Sequence, residues 1–146
     1  MSIKTEIGSP STGSKLIEEK DELIGRKYEF CKIENGEIRS PITGKIIKIF
    51  FDKNTILISN ICGMQIILRI EIYSQGCDFK VKMLANEGKS VKKGEILFLS
   101  KKNDIIKSAI IYIPWQPLII KRINGFKITY RNPWSSLKTK THGVYI

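Results

Sequence analysis

The sequence predicts an all-β fold, an antiparallel β-sandwich or barrel, on three observations. From Tyr28 onward, short runs of β-branched and aromatic residues are separated by turn signals every few residues. Several of these runs alternate apolar and polar residues, as a half-buried strand does. A turn motif also recurs: Ser9-Pro10-Ser11-Thr12-Gly13 returns as Ser40-Pro41-Ile42-Thr43-Gly44, 31 residues later.

The elements follow in order. Lys15–Ile24 is rich in Glu and Lys, with Leu16, Ile17, Leu23 and Ile24 on one side of two or three helical turns, so one short N-terminal helix is expected there. Tyr28–Ile33 reads as a strand, followed by an Asn-Gly turn at Asn35-Gly36. Gly44–Phe51, Thr55–Ser59, Gln65–Ile72, Phe79–Leu84, Glu95–Leu99 and Ile105–Ile113 read as further strands. Leu118–Ile123, Asn124-Gly125 and Phe126–Tyr130 read as a closing hairpin. In Gly44–Phe50 and Phe126–Tyr130 the alternation assigns the lysines to a solvated face. In the repeated motif Pro fixes one torsion and Gly permits positive φ, so each copy is a tight turn into a strand. The echo therefore indicates a duplicated supersecondary unit.

The 146 residues suffice for one core, with 42% hydrophobic and 27% charged residues, which excludes wholesale disorder. The formal charge of +11 comes from 25 Lys and Arg against 14 Asp and Glu. Twenty of those bases are Lys, and the chain has 28 Ile, a combination that an AT-rich coding sequence produces without any ligand. The charge is uneven: residues 1–37 hold six bases and eight acids, and residues 38–146 hold 19 and six. The three cysteines, Cys31, Cys62 and Cys77, lack Cys-x-x-Cys spacing, and His142 is the single histidine. A structural zinc site needs about four N or S ligands, so no metal or other cofactor is expected. The odd cysteine count and the absence of an apolar run near Met1–Glu6 fit free thiols in a reducing cytoplasm. No run approaches the ~18 apolar residues that span a bilayer.

The motifs, taken in series, resemble a known family. Ile7–Gly13, Ile38–Phe50, the turn Glu87-Gly88-Lys89-Ser90-Val91-Lys92-Lys93-Gly94-Glu95-Ile96-Leu97, and Lys107-Ser108 running to Pro114 occur in the order found in the glucose-class IIA component of the bacterial phosphoenolpyruvate-dependent sugar phosphotransferase system. The resemblance covers about residues 7–120 and implies that family's β-sandwich of the duplicated hybrid motif type. Residues 1–120 would then be the IIA-like domain and 121–146 a basic hairpin or tail packed on it or extending it.

The resemblance also implies where the chemistry departs. The family passes a phosphoryl group through one His while a second helps to position it. Here the loop His falls on Asn54 and the nucleophilic His on Arg69, with Glu71, Tyr73 and Ser74 replacing the Gly, Asp and Thr that follow. An amide is no nucleophile, and a guanidinium stays protonated with no lone pair to give. The expectation is a IIA-like protein without phosphotransfer chemistry, acting by binding a protein partner through the face around Asn54, Arg69, Glu71 and Tyr73. Arg69 has two roles open to it: binding an anion, or pairing with Glu71 two residues along the strand. Asp52-Lys53-Asn54 is explained by a turn alone. An active phosphocarrier for sugar uptake remains the alternative. So does a nucleic-acid module built on the tail, where Lys121, Arg122, Lys127 and Arg131 are interleaved with Phe126, Tyr130 and Trp134.

Overall fold

Proline fixes one torsion in each Ser-Pro-x-Thr-Gly turn, but of the two glycines only Gly13 takes the expected positive φ, Gly44 being already the first residue of a strand; the strands before and after each turn organise the molecule. The computed structural model describes residues 4–22, 25–33, 35–61, 63–73, 81–101, 105–114, 119–122 and 127–131. Thirteen strands are found among them: β1 (Lys4–Gly8), β2 (Lys15–Glu22), β3 (Gly25–Cys31), β4 (Glu37–Arg39), β5 (Gly44–Phe50), β6 (Thr55–Ser59), β7 (Gln65–Ile72), β8 (Val81–Met83), β9 (Ser90–Val91), β10 (Ile96–Ser100), β11 (Ile106–Pro114), β12 (Ile119–Arg122) and β13 (Lys127–Arg131). All pairings are antiparallel. They form a seven-stranded sheet, β2-β3-β11-β7-β6-β5-β9, and two three-stranded sheets, β4-β10-β8 and β1-β13-β12. The sheets stay open and do not close into a barrel. No helix among the described residues is long and apolar enough to cross a membrane.

The duplication is visible in this order. The hairpin β2–β3 leads to β11, and the hairpin β5–β6 leads to β7, with β11 and β7 paired at the centre. Strand β1 feeds the first Pro turn and pairs with β13, as β4 feeds the second and pairs with β10. The two turns also bond each other. The Gly8 N–H donates to the Pro41 carbonyl at 2.9 Å, and the Arg39 N–H donates to the Pro10 carbonyl at 2.6 Å. Within each turn the Ser hydroxyl donates to the carbonyl two residues on: Ser9 to Ser11 and Ser40 to Ile42, at 2.9 and 2.7 Å. Ile7 and Ile38, 31 residues apart, are both fully buried.

The core lies beneath the inner face of the large sheet. Registers bring Tyr28, Ile111, Leu68 and Ile56 into one row and Phe30, Ala109 and Ile70 into another. All of these are buried, and they meet Leu97 and Phe98 of β10 in the same cluster. Burying each large side chain contributes about 2 kcal/mol.

Two expectations require correction. Residues 15–24 do not begin a helix; Lys15–Glu22 is strand β2, paired with β3 from Lys15↔Cys31 to Glu22↔Gly25. Gly13, at φ 79°, turns the chain straight into that ladder, and the pairing outweighs a local helical preference too short to persist alone. Leu23 and Ile24 lie outside the described residues. Strict alternation also fails in β5, where only Ile46 and Ile49 are buried, at a spacing of three. A bulge between Ile46 and Lys48 resets the faces and leaves Ile47 44% exposed. The β2–β3 ladder has the same irregularity between Leu16 and Glu18, leaving Ile17 54% exposed. Strands β1, β4 and β9 have no counterpart in the sequence reading. The alternation expected in Phe126–Tyr130 concerns side chains outside the description, as do Cys62 and Cys77; Cys31 is a half-buried free thiol.

The Glu87–Leu97 turn explains its own composition. The Glu87 carboxylate accepts the Ile49 N–H at 2.9 Å, beyond the β5 bulge, and Gly88 N–H donates to the Ile46 carbonyl. Gly94, at φ 91°, donates to the Ser40 carbonyl, and Lys93 N–H donates to Thr43 Oγ1. The motif is a clasp on the second Pro turn. Replacing Glu87 by Ala is expected to lower stability by about 1 kcal/mol in urea unfolding, because the Ile49 N–H loses its acceptor. At Gly44 an added Cβ would lie 2.4 Å from the Ser59 carbonyl oxygen. Gly44→Ala is therefore expected to cost about 2 kcal/mol by the same measurement.

Candidate functional site

The loop between β5 and β6 is one turn of 3₁₀ helix, Phe51–Lys53, ended by Asn54 in the left-handed conformation at φ 49° and ψ 48°. Asn tolerates this region better than other side-chain-bearing residues do. The Asn54 N–H donates to the Phe51 carbonyl at 3.3 Å, and the Asn54 carbonyl accepts the Ile70 N–H at 3.1 Å. The loop is thereby tied to β7, where Arg69 lies opposite Thr55. Asn54 and Arg69, 15 residues apart in sequence, become neighbours.

Alternation in β7 buries Ile66, Leu68 and Ile70 and turns Ile67, Arg69 and Glu71 outward. Arg69 Nη2 donates to Glu71 Oε1 at 3.1 Å, with both side chains close to half exposed. Such a pair contributes at most about 1 kcal/mol, so it orients the guanidinium without consuming it. Tyr73 stands just past the end of β7, 65% exposed, with its N–H donating to the Ile105 carbonyl. Asn54, Arg69 and Glu71 line one shallow concavity of about 420 Å³, together with Asp52 and Lys53. Tyr73 is not part of that lining. Ser74 lies outside the described residues.

A second concavity of about 430 Å³ adjoins the first across Arg69 and Lys53. Its wall includes Lys27, Phe50, Ile67 and Tyr112, none of which the sequence reading singled out as functional. Register explains their meeting: Lys27 lies opposite Tyr112, and Tyr112 opposite Ile67, on three strands distant in sequence. The available signal was outward alternation within β3, where Lys27 and Glu29 flank buried Tyr28. Beyond Lys27, at the sheet edge, Lys20 Nζ lies 2.6 Å from Glu18 and holds that carboxyl below its ordinary range.

No protein-family model matches the sequence, and neither does any curated protein. Among solved structures, the chain is similar to the glucose permease IIA from Mycoplasma capricolum, with a TM-score of 0.61 and 21% identity over 82% of this chain and 88% of that one. The fold is IIA-like. At this level of identity the likeness carries the architecture and not the chemistry. The architecture places Asn54 and Arg69 on the outer face of the large sheet, beside the central β7–β11 pair.

The left-handed residue gives a direct test of how this loop is held. Asn54→Gly is expected to leave stability unchanged. Asn54→Val is expected to cost about 1–2 kcal/mol in denaturant unfolding, and amide exchange at Ile70 should speed up in the Val variant alone.

Proposed function

We propose that this chain is a phosphotransferase-system IIA-like protein of the cytoplasm that has lost the phosphorylatable histidines and acts by binding another protein. Its binding surface is the outer face around Asn54, Arg69, Glu71 and Tyr73. The observation that carries the reading is the juxtaposition of Asn54 and Arg69. They are the two positions that the sequence resemblance pairs with the family's histidines, and the Ile70–Asn54 hydrogen bond makes them neighbours on one face of an IIA-like sheet.

The chemistry of that pair supports binding rather than transfer. Phosphoryl relay needs a neutral imidazole nitrogen as nucleophile and a neighbour that holds the ring. Asn54 offers an amide, and Arg69 a permanent cation with five donors and no acceptor. Neither can carry a phosphoryl group as histidine does, while Arg69 can hold a carboxylate or a phosphate through hydrogen bonds. The remaining histidine, His142, belongs to the part of the chain that the resemblance does not cover. Residues 1–120 supply the binding domain in this reading, and 121–146 extend it.

The test is a transfer assay. The purified protein is incubated with phosphoenolpyruvate, enzyme I and HPr, and its intact mass is read beside a histidine-bearing IIA component as control. No added phosphoryl mass is expected on this chain while the control is modified. A mass increase on this chain would overturn the proposal and make it a working phosphocarrier.

A further inference from the structure

The second concavity has a chemical character of its own. Its three charged side chains, Lys27, Lys53 and Arg69, are all cations, and its floor is mainly apolar, with Ile67 half-buried, Tyr112 partly covered and Ile110 buried beneath them. Phe50 stands at its side, 41% exposed. Lys27 is half-buried on β3, and neither it nor Lys53 has an ion-pair partner among the described residues. Lys27 acts on the Glu18 carboxyl through space without forming an ion pair, and a half-buried lysine gains more from an incoming anion than a fully exposed one does. Arg69 gives one nitrogen to Glu71 and keeps further donors.

No carboxylate is among the residues that line this groove. Glu71 faces Arg69, and Glu18 faces Lys20 at 2.6 Å. Glu29, two residues from Lys27 on β3, lies opposite Glu18 and is not part of the groove's lining. The groove itself is left with unbalanced positive charge, on a chain whose formal charge is already +11.

We infer that this groove docks an acidic segment of a partner protein, one in which carboxylates flank an aliphatic or aromatic side chain. The inference rests on the protein-binding reading above and names the kind of partner. Lys27 and Lys53 receive the carboxylates, and the apolar side chain sits on Ile67 against the Phe50 ring. Charge complementarity selects this occupant, since a basic or neutral segment would leave the cations desolvated without compensation. The floor argues against single-stranded nucleic acid, which needs successive exposed aromatic faces for its bases to stack on. Here the floor is mostly aliphatic, Phe50 is the one exposed ring among the groove's lining residues, and Tyr112 is partly covered.

The experiment is an NMR titration of the ¹⁵N-labelled full chain at low salt. One probe is an extended hexapeptide with the order Glu, Asp, Leu, Phe, Asp, Glu and blocked ends; the other is its amide counterpart, with Gln and Asn in place of the acids. The acidic peptide is expected to move the amides of Lys27, Ile67, Arg69 and Tyr112 and to bind about tenfold or more tightly than the amide version. Its affinity is expected to fall as salt rises. Lys27→Ala and Lys53→Ala should each weaken it about three- to tenfold while leaving the remaining spectrum in place. Equal binding of the two peptides, shifts confined to another surface, or no shift at millimolar peptide would overturn the inference. So would a single-stranded oligonucleotide of matched charge that moved the same amides at lower concentration. The transfer assay decides the functional reading separately: phosphorylation of the chain would sink that reading, while the titration would still judge the groove.

Discussion

Two hydrogen bonds cross between the copies of the repeated turn, Gly8 N–H to the Pro41 carbonyl and Arg39 N–H to the Pro10 carbonyl, and the other strands are arranged around that exchange. Both prolines are buried. A buried backbone group without a partner costs about 1–3 kcal/mol, so each turn needs the other to be satisfied. The exchange holds the ends of β1 and β4 together. It sends β2 and β5 out to opposite flanks of the large sheet, and the hairpins they open return β3 and β6 to flank the central pair of β11 and β7. Neither half could bury Ile7 or Ile38 alone. The clasp from Glu87 to Gly94 then closes over the second turn, which explains why that copy is braced by a long motif of its own.

The face that carries the candidate site is a consequence of this arrangement. With the inner face filled by Ile, Leu, Tyr and Phe, outward side chains of β3, β11, β7, β6 and β5 align in rows by register. One row runs Lys20, Lys27, Tyr112, Ile67, Leu57, Lys48, and the next runs Glu18, Glu29, Ile110, Arg69, Thr55, Phe50. The first row places an apolar centre between lysines. The second brings Arg69 beside it, with its guanidinium steered by Glu71. An IIA-like scaffold in this way presents a cationic, partly apolar surface, and it needs no change of fold to do so.

The β5 bulge connects the two levels. Its extra residue exposes Ile47, lets Glu87 reach the Ile49 N–H, and resets the faces so that Phe50 points outward beside the groove. Without that irregularity Phe50 would take the opposite face, since a one-residue slip inverts every side chain beyond it. The left-handed Asn54 then follows within one helical turn and anchors the loop on β7. A local backbone irregularity has thus set both the groove wall and the position of the loop.

Much of this was legible in the residues themselves. Gln65–Ile72 and Thr55–Ser59 were rich in β-branched residues and bounded by turn signals, and their strand limits agree with the sequence reading. The Pro-x-Thr-Gly echo announced the duplication, because Pro fixes one torsion wherever it stands and Gly opens conformations that other residues avoid. Asp52-Lys53-Asn54 read as a turn from its own residue types, and the pair with Glu71 was one of the two roles open to Arg69. What stayed hidden depended on contacts across the chain. Lys15–Glu22 has a composition equally compatible with a helix, and only pairing with β3 makes it a strand. The short strands β4 and β9 gain their pairing from partners far away in sequence. Lys27, Tyr112 and Phe50 lie on separate strands, and nothing within any one of those segments marks them as neighbours. The sequence by itself determined the all-β class, the repeated turn and the residue types at positions 54 and 69, since these follow from local backbone restrictions and side-chain chemistry. Tertiary structure alone decided which lysines gather beside Arg69, because strand register is set by the whole buried face and not by any single strand.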